Sequence, residues 1–128
     1  MFGANHTDIL LGDLLPIYGD GSSIYQVFMN IINNAVKYSS TNPQAKVCIH
    51  SEKVAKGILY HIIDDGIGIP ASDLARIRQN HARASNAHTF QGKGIGLFIV
   101  KKILERLGAQ MDILSKEGQG TEIRLLFP

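Results

Sequence analysis

The 128-residue sequence predicts one α/β domain spanning residues 1–128. Three observations lead there. Apolar residues recur at helical spacing in two segments, two pairs of strand-like runs are joined by short glycine-bearing turns, and the length suffices for one real core but not for two of average size. Apolar residues make up 45% and charged residues 19% of the chain, ordinary values for a globular protein in water.

Taken in order, residues 8–15 (DILLGDLL) and 17–19 (IYG) read as strand material broken by Pro16. A helix follows. Ser23, with Gln26 three residues on, resembles a capping box. Ile24, Val27, Phe28, Ile31, Ile32 and Ala35 then recur at helical spacing until the STNP turn at 40–43. Residues 45–52 (AKVCIHSE) and 58–63 (ILYHII) predict a hairpin turning at Lys56 and Gly57. A short helix is expected over 72–78. From 79 to 91 the pattern dissolves into small, polar and basic residues. A stretch of that length without regular structure is uncommon in a compact domain and marks either a functional lid or disorder. A strong helix is predicted over 95–107, with Ile99, Ile103, Leu104 and Leu107 inward and Lys101, Lys102, Glu105 and Arg106 toward water. Gly108 stands where a C-terminal cap belongs. Residues 110–115 and 121–127 form a second hairpin around Glu117, Gly118, Gln119 and Gly120.

Several classes are excluded. No apolar run approaches the ~18–20 residues that span a bilayer, and no signal-peptide pattern is present, so no direct membrane contact and a cytoplasmic location are expected. The lone Cys48 has no partner for an internal disulfide, and as a strand residue it reads as buried and inert. The net charge of +2 is unevenly spread: residues 74–104 hold no acid but contain Arg76, Arg78, Arg83, Lys93, Lys101 and Lys102. A one-sign segment suggests an anionic ligand. With only Phe90 and Phe98 as aromatics there, and no nucleic-acid motif, a small polyphosphate fits and nucleic acid is not expected as a partner.

The first helix carries an unusual polar face. At ~100° per residue, Asn30, Asn34 and Lys37 cluster, with Gln26 and Asn33 flanking and Tyr38 at the border. Asparagine is a mediocre helix former. The face is either solvated surface or a ligand face, in which asparagine carbonyls would suit Mg²⁺ beside phosphate and Lys37 would reach a phosphate as a point charge. Further on, the strand at 58–63 runs into Asp64-Asp65-Gly66-Ile67-Gly68-Ile69-Pro70. This is either a turn or a site where a carboxylate accepts a hydrogen bond from the exocyclic amine of adenine, while the carbonyl of guanine is repelled. Gly92-Lys93-Gly94-Ile95-Gly96-Leu97 then opens the strong helix, where backbone N–H groups bind anions and glycines admit phosphate closely. It is not a Walker loop, which needs Ser or Thr after the lysine. Nor is it a dinucleotide fingerprint, which has different glycine spacing and follows a strand, although Asp112 sits where its ribose-binding acid would.

Together Asn30-x-x-x-Asn34-Ala35-x-Lys37, Asp64-x-Gly66-x-Gly68, Gly92-x-Gly94-x-Gly96-Leu97 and Gly118-x-Gly120-Thr121 resemble the N, G1, G2 and G3 boxes of the catalytic ATP-binding domain of sensor histidine kinases. That domain belongs to the superfamily shared with DNA gyrase, the heat-shock chaperone and mismatch-repair ATPases. The resemblance implies a two-layer α/β sandwich of the Bergerat type, a mixed, mostly antiparallel sheet with helices on one face. Its cofactors would be ATP and Mg²⁺. By position, Asn34 would bind Mg²⁺ with Asn30 beside it, Lys37 would lie near the phosphates and Tyr38 would flank the nucleotide. Asp64 would bind the adenine amine, Gly66 and Gly68 would shape the base pocket, and Thr121 would support the adenine end. Arg83, Lys93, Gly94, Gly96 and Leu97 would meet the phosphates from the lid and its hinge.

The resemblance also implies partners: a dimerisation and histidine phosphotransfer domain of the same protein, then the receiver domain of a response regulator. In hydrolysing relatives the residue four before the Mg²⁺ asparagine is a glutamate that activates water. Here it is Asn30, and an amide cannot take that proton near neutral pH. Kinase is therefore expected over hydrolase. The sequence departs from the family before the lid, where Arg78 and His81 stand at positions that often carry phenylalanine. That departure motivates a rival reading, a degenerate nucleotide-binding regulatory module; a superfamily ATPase is the other. His6 lacks the neighbours of the family's histidine box, so autophosphorylation by this stretch alone is not expected. It reads as a piece of a longer sensor whose parent carries any membrane anchor.

Overall fold

A computed structural model describes residues 8–39, 45–69, 71 and 95–128, with the backbone alone for Tyr38 and residues 95–98. The elements run β1 (Asp8–Leu11), α1 (Gly21–Ser39), β2 (Lys46–Val54), β3 (Gly57–Asp64), α2 (Ile95–Leu107), β4 (Gln110–Lys116) and β5 (Gly120–Phe127). The five strands form one sheet in the order β1-β2-β3-β5-β4. Only the β1–β2 pair is parallel, and β2–β3, β3–β5 and β4–β5 are antiparallel. The two helices among the described residues pack on one face of it and against each other, which is the two-layer sandwich expected.

Strand alternation explains the layering. Val47 and Ile49 of β2, Tyr60 and Ile62 of β3, Ile113 of β4 and Ile123, Leu125 and Phe127 of β5 point to the helices and are buried. They meet Val27, Ile31, Ala35 and Val36 of α1 and Val100, Ile103 and Leu104 of α2 in one continuous core. Phe28 stands edge-on to Tyr60 at 5.1 Å and stacks with Phe127 at 6.1 Å, which seats the first half of α1 on the sheet. The other sheet face carries a charged row. His61 Nδ1 lies 2.7 Å from Glu122 Oε2, His61 Nε2 lies 2.6 Å from Glu52 Oε2, and Arg124 Nε donates to Glu122 at 2.7 Å. His50 stacks on His61 with ring centroids 4.6 Å apart.

Three sequence expectations are corrected. The strand at 8–15 ends at Leu11, and residues 17–19 are not a strand. Past Gly12 the chain is instead tied down by Ser51, whose N–H and hydroxyl both donate to the Asp13 carbonyl while its Oγ accepts from Leu15 N–H. Tyr60 Oη adds a hydrogen bond to the Leu15 carbonyl. The N-cap of α1 is Asp20 and not Ser23: its carboxylate accepts from Ser23 N–H at 3.0 Å and from both serine hydroxyls, at 2.9 Å from Ser22 and 2.7 Å from Ser23. Those hydrogen bonds hold the Asp20 carboxyl below its ordinary value. The first hairpin turns at Ala55 and Lys56, one residue early, because Val54 already pairs with Gly57.

The end of α2 is as expected. Ala109 N–H reaches the Leu104 carbonyl at 2.8 Å and Gly108 N–H reaches that of Glu105 at 3.2 Å, with Gly108 at a φ of 70°, a Schellman cap. The expected helix at 72–78, the patternless segment at 79–91, the STNP turn and His6 lie outside the described residues. Among the described residues no helix is long and apolar enough to cross a membrane.

Candidate functional site

The chemistry gathers at one end of the central strands. Asp64 is the last residue of β3 and pairs in register with Thr121 of β5. Its parity points it to the helix face, and it is only 7% exposed. Its Oδ1 accepts from Gly66 N–H at 2.9 Å, which curls the chain back into a tight loop. Burial pushes the Asp64 carboxyl up to about 6; the Gly66 N–H opposes that, the neighbouring Asp65 charge adds to it, and the Thr121 backbone N–H opposes it again. Asp65 faces the other way, accepting from Lys46 N–H at 2.9 Å and so fixing the start of β2.

Two glycines let the loop and the β4–β5 turn touch backbone to backbone. Gly68 has a φ of 70°, and a Cβ there would stand 2.1 Å from the Lys116 carbonyl oxygen. Gly120 has a φ of 100°, and a Cβ there would stand 2.1 Å from the Asp64 carbonyl oxygen. Gly118 N–H donates to the Ile67 carbonyl at 2.7 Å, tying turn to loop. Ser115, on the inward side of β4, joins three neighbours: Ile69 N–H at 2.8 Å, the Gly120 carbonyl at 2.8 Å and Thr121 Oγ1 at 2.7 Å. A cavity of ≈ 350 Å³ opens at this end of β3, β5 and β4; with Ile63, Leu114 and Glu122 in its lining it lies toward the sheet face away from the helices, and Asp64, Ser115 and Thr121 border it.

Asp64, Gly66, Gly68 and Thr121, expected as the base-binding set, thus come together as one cluster. Asn30, Asn34 and Lys37 lie half-buried on α1, whereas Asn33 is exposed. Of the expected nucleotide-flanking residues, Tyr38 continues the α1 backbone, and Gly96 and Leu97 lie in the first turn of α2. Arg83, Lys93 and Gly94 fall outside the described residues. Sequence reading missed Ser115. Its signal was a small polar residue at an inward strand position, two after Ile113. Among the described residues no group of three or more His, Cys, Asp or Glu side chains is placed to hold a metal.

A mixed sheet covered on one face by helices, with a buried acid at the end of a central strand and a glycine loop beside it, defines an ATPase-type α/β sandwich. The chain belongs to the histidine kinase-, DNA gyrase B- and HSP90-like ATPase family, whose model matches residues 19–128. The phosphate regulon sensor protein PhoR of Haemophilus influenzae is 29% identical over 97% of this chain and 29% of its own length. The mycobacterial sensor histidine kinase MprB has the same fold, with a TM-score of 0.79 at 24% identity over 95% of this chain and 82% of that one. Full-length ShkA in complex with AMPPNP matches with a TM-score of 0.77 at 25% identity over 96% of this chain and 26% of that one. The chain spans between about a fifth and about three tenths of the length of the curated relatives it matches.

Proposed function

We propose that this domain binds Mg-ATP and passes its γ-phosphoryl group to a histidine on a separate dimerisation and phosphotransfer domain of the same protein, the first step of two-component signalling. The buried Asp64 carboxylate carries the reading. A desolvated acid whose Oδ1 accepts a hydrogen bond from Gly66 N–H, set beside Thr121 at the end of β3 and turned to the helix face, suits the exocyclic amine of adenine. Family membership and the AMPPNP in ShkA support the same assignment.

In this reading Gly66 and Gly68 wall the base pocket, Tyr38 flanks the nucleotide, and the triphosphate runs along the Asn30, Asn34 and Lys37 face of α1. The donor set fits Mg²⁺: Asn34 and Asn30 offer neutral amide oxygens one helical turn apart on a half-buried face. Bound there, Mg²⁺ would neutralise charge on the phosphates. Lys37 adds a cation, and Arg83, Lys93, Gly94, Gly96 and Leu97 complete the phosphate side. The acceptor imidazole nitrogen attacks the γ-phosphorus with its own lone pair, the bond to the bridging oxygen breaks, and ADP leaves. That nucleophile needs no base to free a lone pair, whereas water benefits from one that Asn30 does not provide. ATP supply places the domain in the cytoplasm, and the phosphohistidine would be handed to a response regulator receiver domain.

The test mixes the domain with the phosphotransfer domain of its parent protein and γ-labelled ATP. Label is expected on the acceptor histidine, dependent on Mg²⁺ and reduced at least a hundredfold by Asn34→Ala. Nucleotide binding without any phosphohistidine would reduce the protein to a regulatory binding module. Steady ATP turnover by the domain alone would overturn the role given to Asn30.

A further inference from the structure

We propose that the apolar groove beside β1 seats a third helix, an amphipathic segment of the same protein that precedes β1 and lies outside these 128 residues. Its apolar face would pack on α1 and on the β1–β2 edge of the sheet. The inference concerns an interaction surface and stands whether or not the nucleotide-site reading holds.

The sheet is wider than the helices that cover it. Five strands set about 4.8 Å apart span about 19 Å between the outer axes, and helices pack about 8–10 Å apart, so the face has room for about three. Among the described residues there are two: α1 packs chiefly on β3, and α2 on β4 and α1. Toward β1 the helix face opens as a cavity of ≈ 420 Å³, lined among others by Leu11, Leu14, Ile17, Phe28, Ile32 and Ile49. Leu11 is 64% exposed and Leu14 49% exposed. Tyr25, also exposed, stands three residues before Phe28 and seven before Ile32, on the same stripe of α1. A contiguous apolar surface of this kind marks a contact site, because leaving it in water forfeits the free energy of burial.

The lining chemistry selects a helix. Among the described lining residues none is charged; all are aliphatic, aromatic or proline. The polar groups beside them are already engaged: Leu15 N–H donates to Ser51 Oγ, and the Leu15 carbonyl accepts from Tyr60 Oη. A wall that offers no hydrogen bonds suits an element whose backbone is satisfied internally, which a helix is and an added strand is not. Ile24, Phe28 and Ile32 all line the cavity at a spacing of four. They form a ridge about 12 Å long, about two helical turns, into which aliphatic side chains of the occupant would interdigitate. Consecutive elements are usually neighbours in space, and Leu11 of β1 borders the groove, so the segment before β1 reaches it by a short connection. A parent as long as the curated relatives has ample chain to supply that segment.

Hydrogen exchange, read by mass spectrometry on the 128-residue chain and on its full-length parent, tests the assignment. Amides of residues 11–18 should exchange at least about tenfold more slowly in the parent. In the parent, Leu14→Glu should remove that protection together with the protection of one helical peptide preceding β1. In the 128-residue chain the same substitution should shift the thermal midpoint by less than about 3 °C, as an exposed change does. Should Leu14→Glu fail to fold in the parent, Leu11→Gln at the more exposed rim carries the same comparison. Equal exchange in the two chains, or protection that the substitution leaves in place, would overturn the proposal. Protection lost with no change in a preceding helical peptide would overturn it too, assigning the groove to another part of the parent. A dimer of the 128-residue chain in sedimentation that Leu14→Glu dissolves would assign the groove to a second copy and likewise overturn it.

Discussion

Asp64 keeps a carboxylate where a carboxylate is costly. Burial pushes it up to about 6 despite the backbone N–H groups of Gly66 and Thr121 that favour its charge. At neutral pH the folded domain carries this acid ionised, at a cost of about 3 kcal/mol at most relative to the unfolded chain. An enzyme accepts that strain when the charge has a ligand to meet. The substitution Asp64→Asn separates the two roles. One oxygen is already claimed by Gly66 N–H, so an amide would keep its oxygen there and present its NH₂ to the ligand, donor against the adenine donor. Nucleotide binding should weaken at least tenfold, while urea midpoints at neutral pH should rise by the equivalent of about 1–2 kcal/mol. A variant that binds AMPPNP normally, or loses stability, would show that the acid serves the fold and not a ligand.

The elements were legible where packing writes a period. The apolar spacing of α1 and α2 and the alternation of β2 through β5 follow directly from which faces meet the core. What was not legible depended on partners distant in sequence. Ile17, Tyr18 and Gly19 look like a strand, but strand status needs an edge to pair with, and Ser51 diverts the preceding chain from that role. Ser23 and Asp20 both had capping chemistry, and only three-dimensional placement decides which accepts. At the site, Asn34, Asp64 and Thr121 are visible as motif residues, while Ser115 acquires meaning from three neighbours, Ile69, Gly120 and Thr121, that spacing does not connect. The join between β3 and β5 gives a direct test of such placement. Gly120 and Gly118 both have positive φ, of 100° and 81°, but a Cβ at Gly120 would meet the Asp64 carbonyl at 2.1 Å whereas nothing lies within 4 Å of one at Gly118. Gly118→Ala should cost about 1 kcal/mol from backbone strain alone, and Gly120→Ala at least about 2 kcal/mol more, because the strands must part at the site. Equal denaturation midpoints for the two variants would mean that the close approach does not constrain the sheet.

At the scale of the whole molecule, these charges give the domain an unusual dependence on pH. The folded chain holds a proton on Asp64 up to about pH 6, while the unfolded chain releases it near the ordinary aspartate value of 3.8. Stability from this group is therefore full at the acid end and is lost as pH rises through about 6. Glu122 works in the opposite sense. Partial burial raises its carboxyl, but hydrogen bonds from Arg124 and His61 and their charges outweigh that and hold it below 4.5. Its contribution, like that of Asp20, is present above the unfolded value and is lost as pH falls through the folded one. With no nucleotide bound, the two trends should place maximal stability near about pH 4 to 5, with a decline toward neutrality. Saturating AMPPNP should offset that decline, because a nucleotide that binds the ionised acid stabilises more as pH rises. Urea denaturation at about pH 5 and about pH 7.5, with and without AMPPNP, measures both effects. In Asp64→Asn the loss between these two pH values should shrink and the nucleotide dependence should disappear. If wild type and variant lose stability equally across that interval, Asp64 is not the group that links proton, fold and ligand.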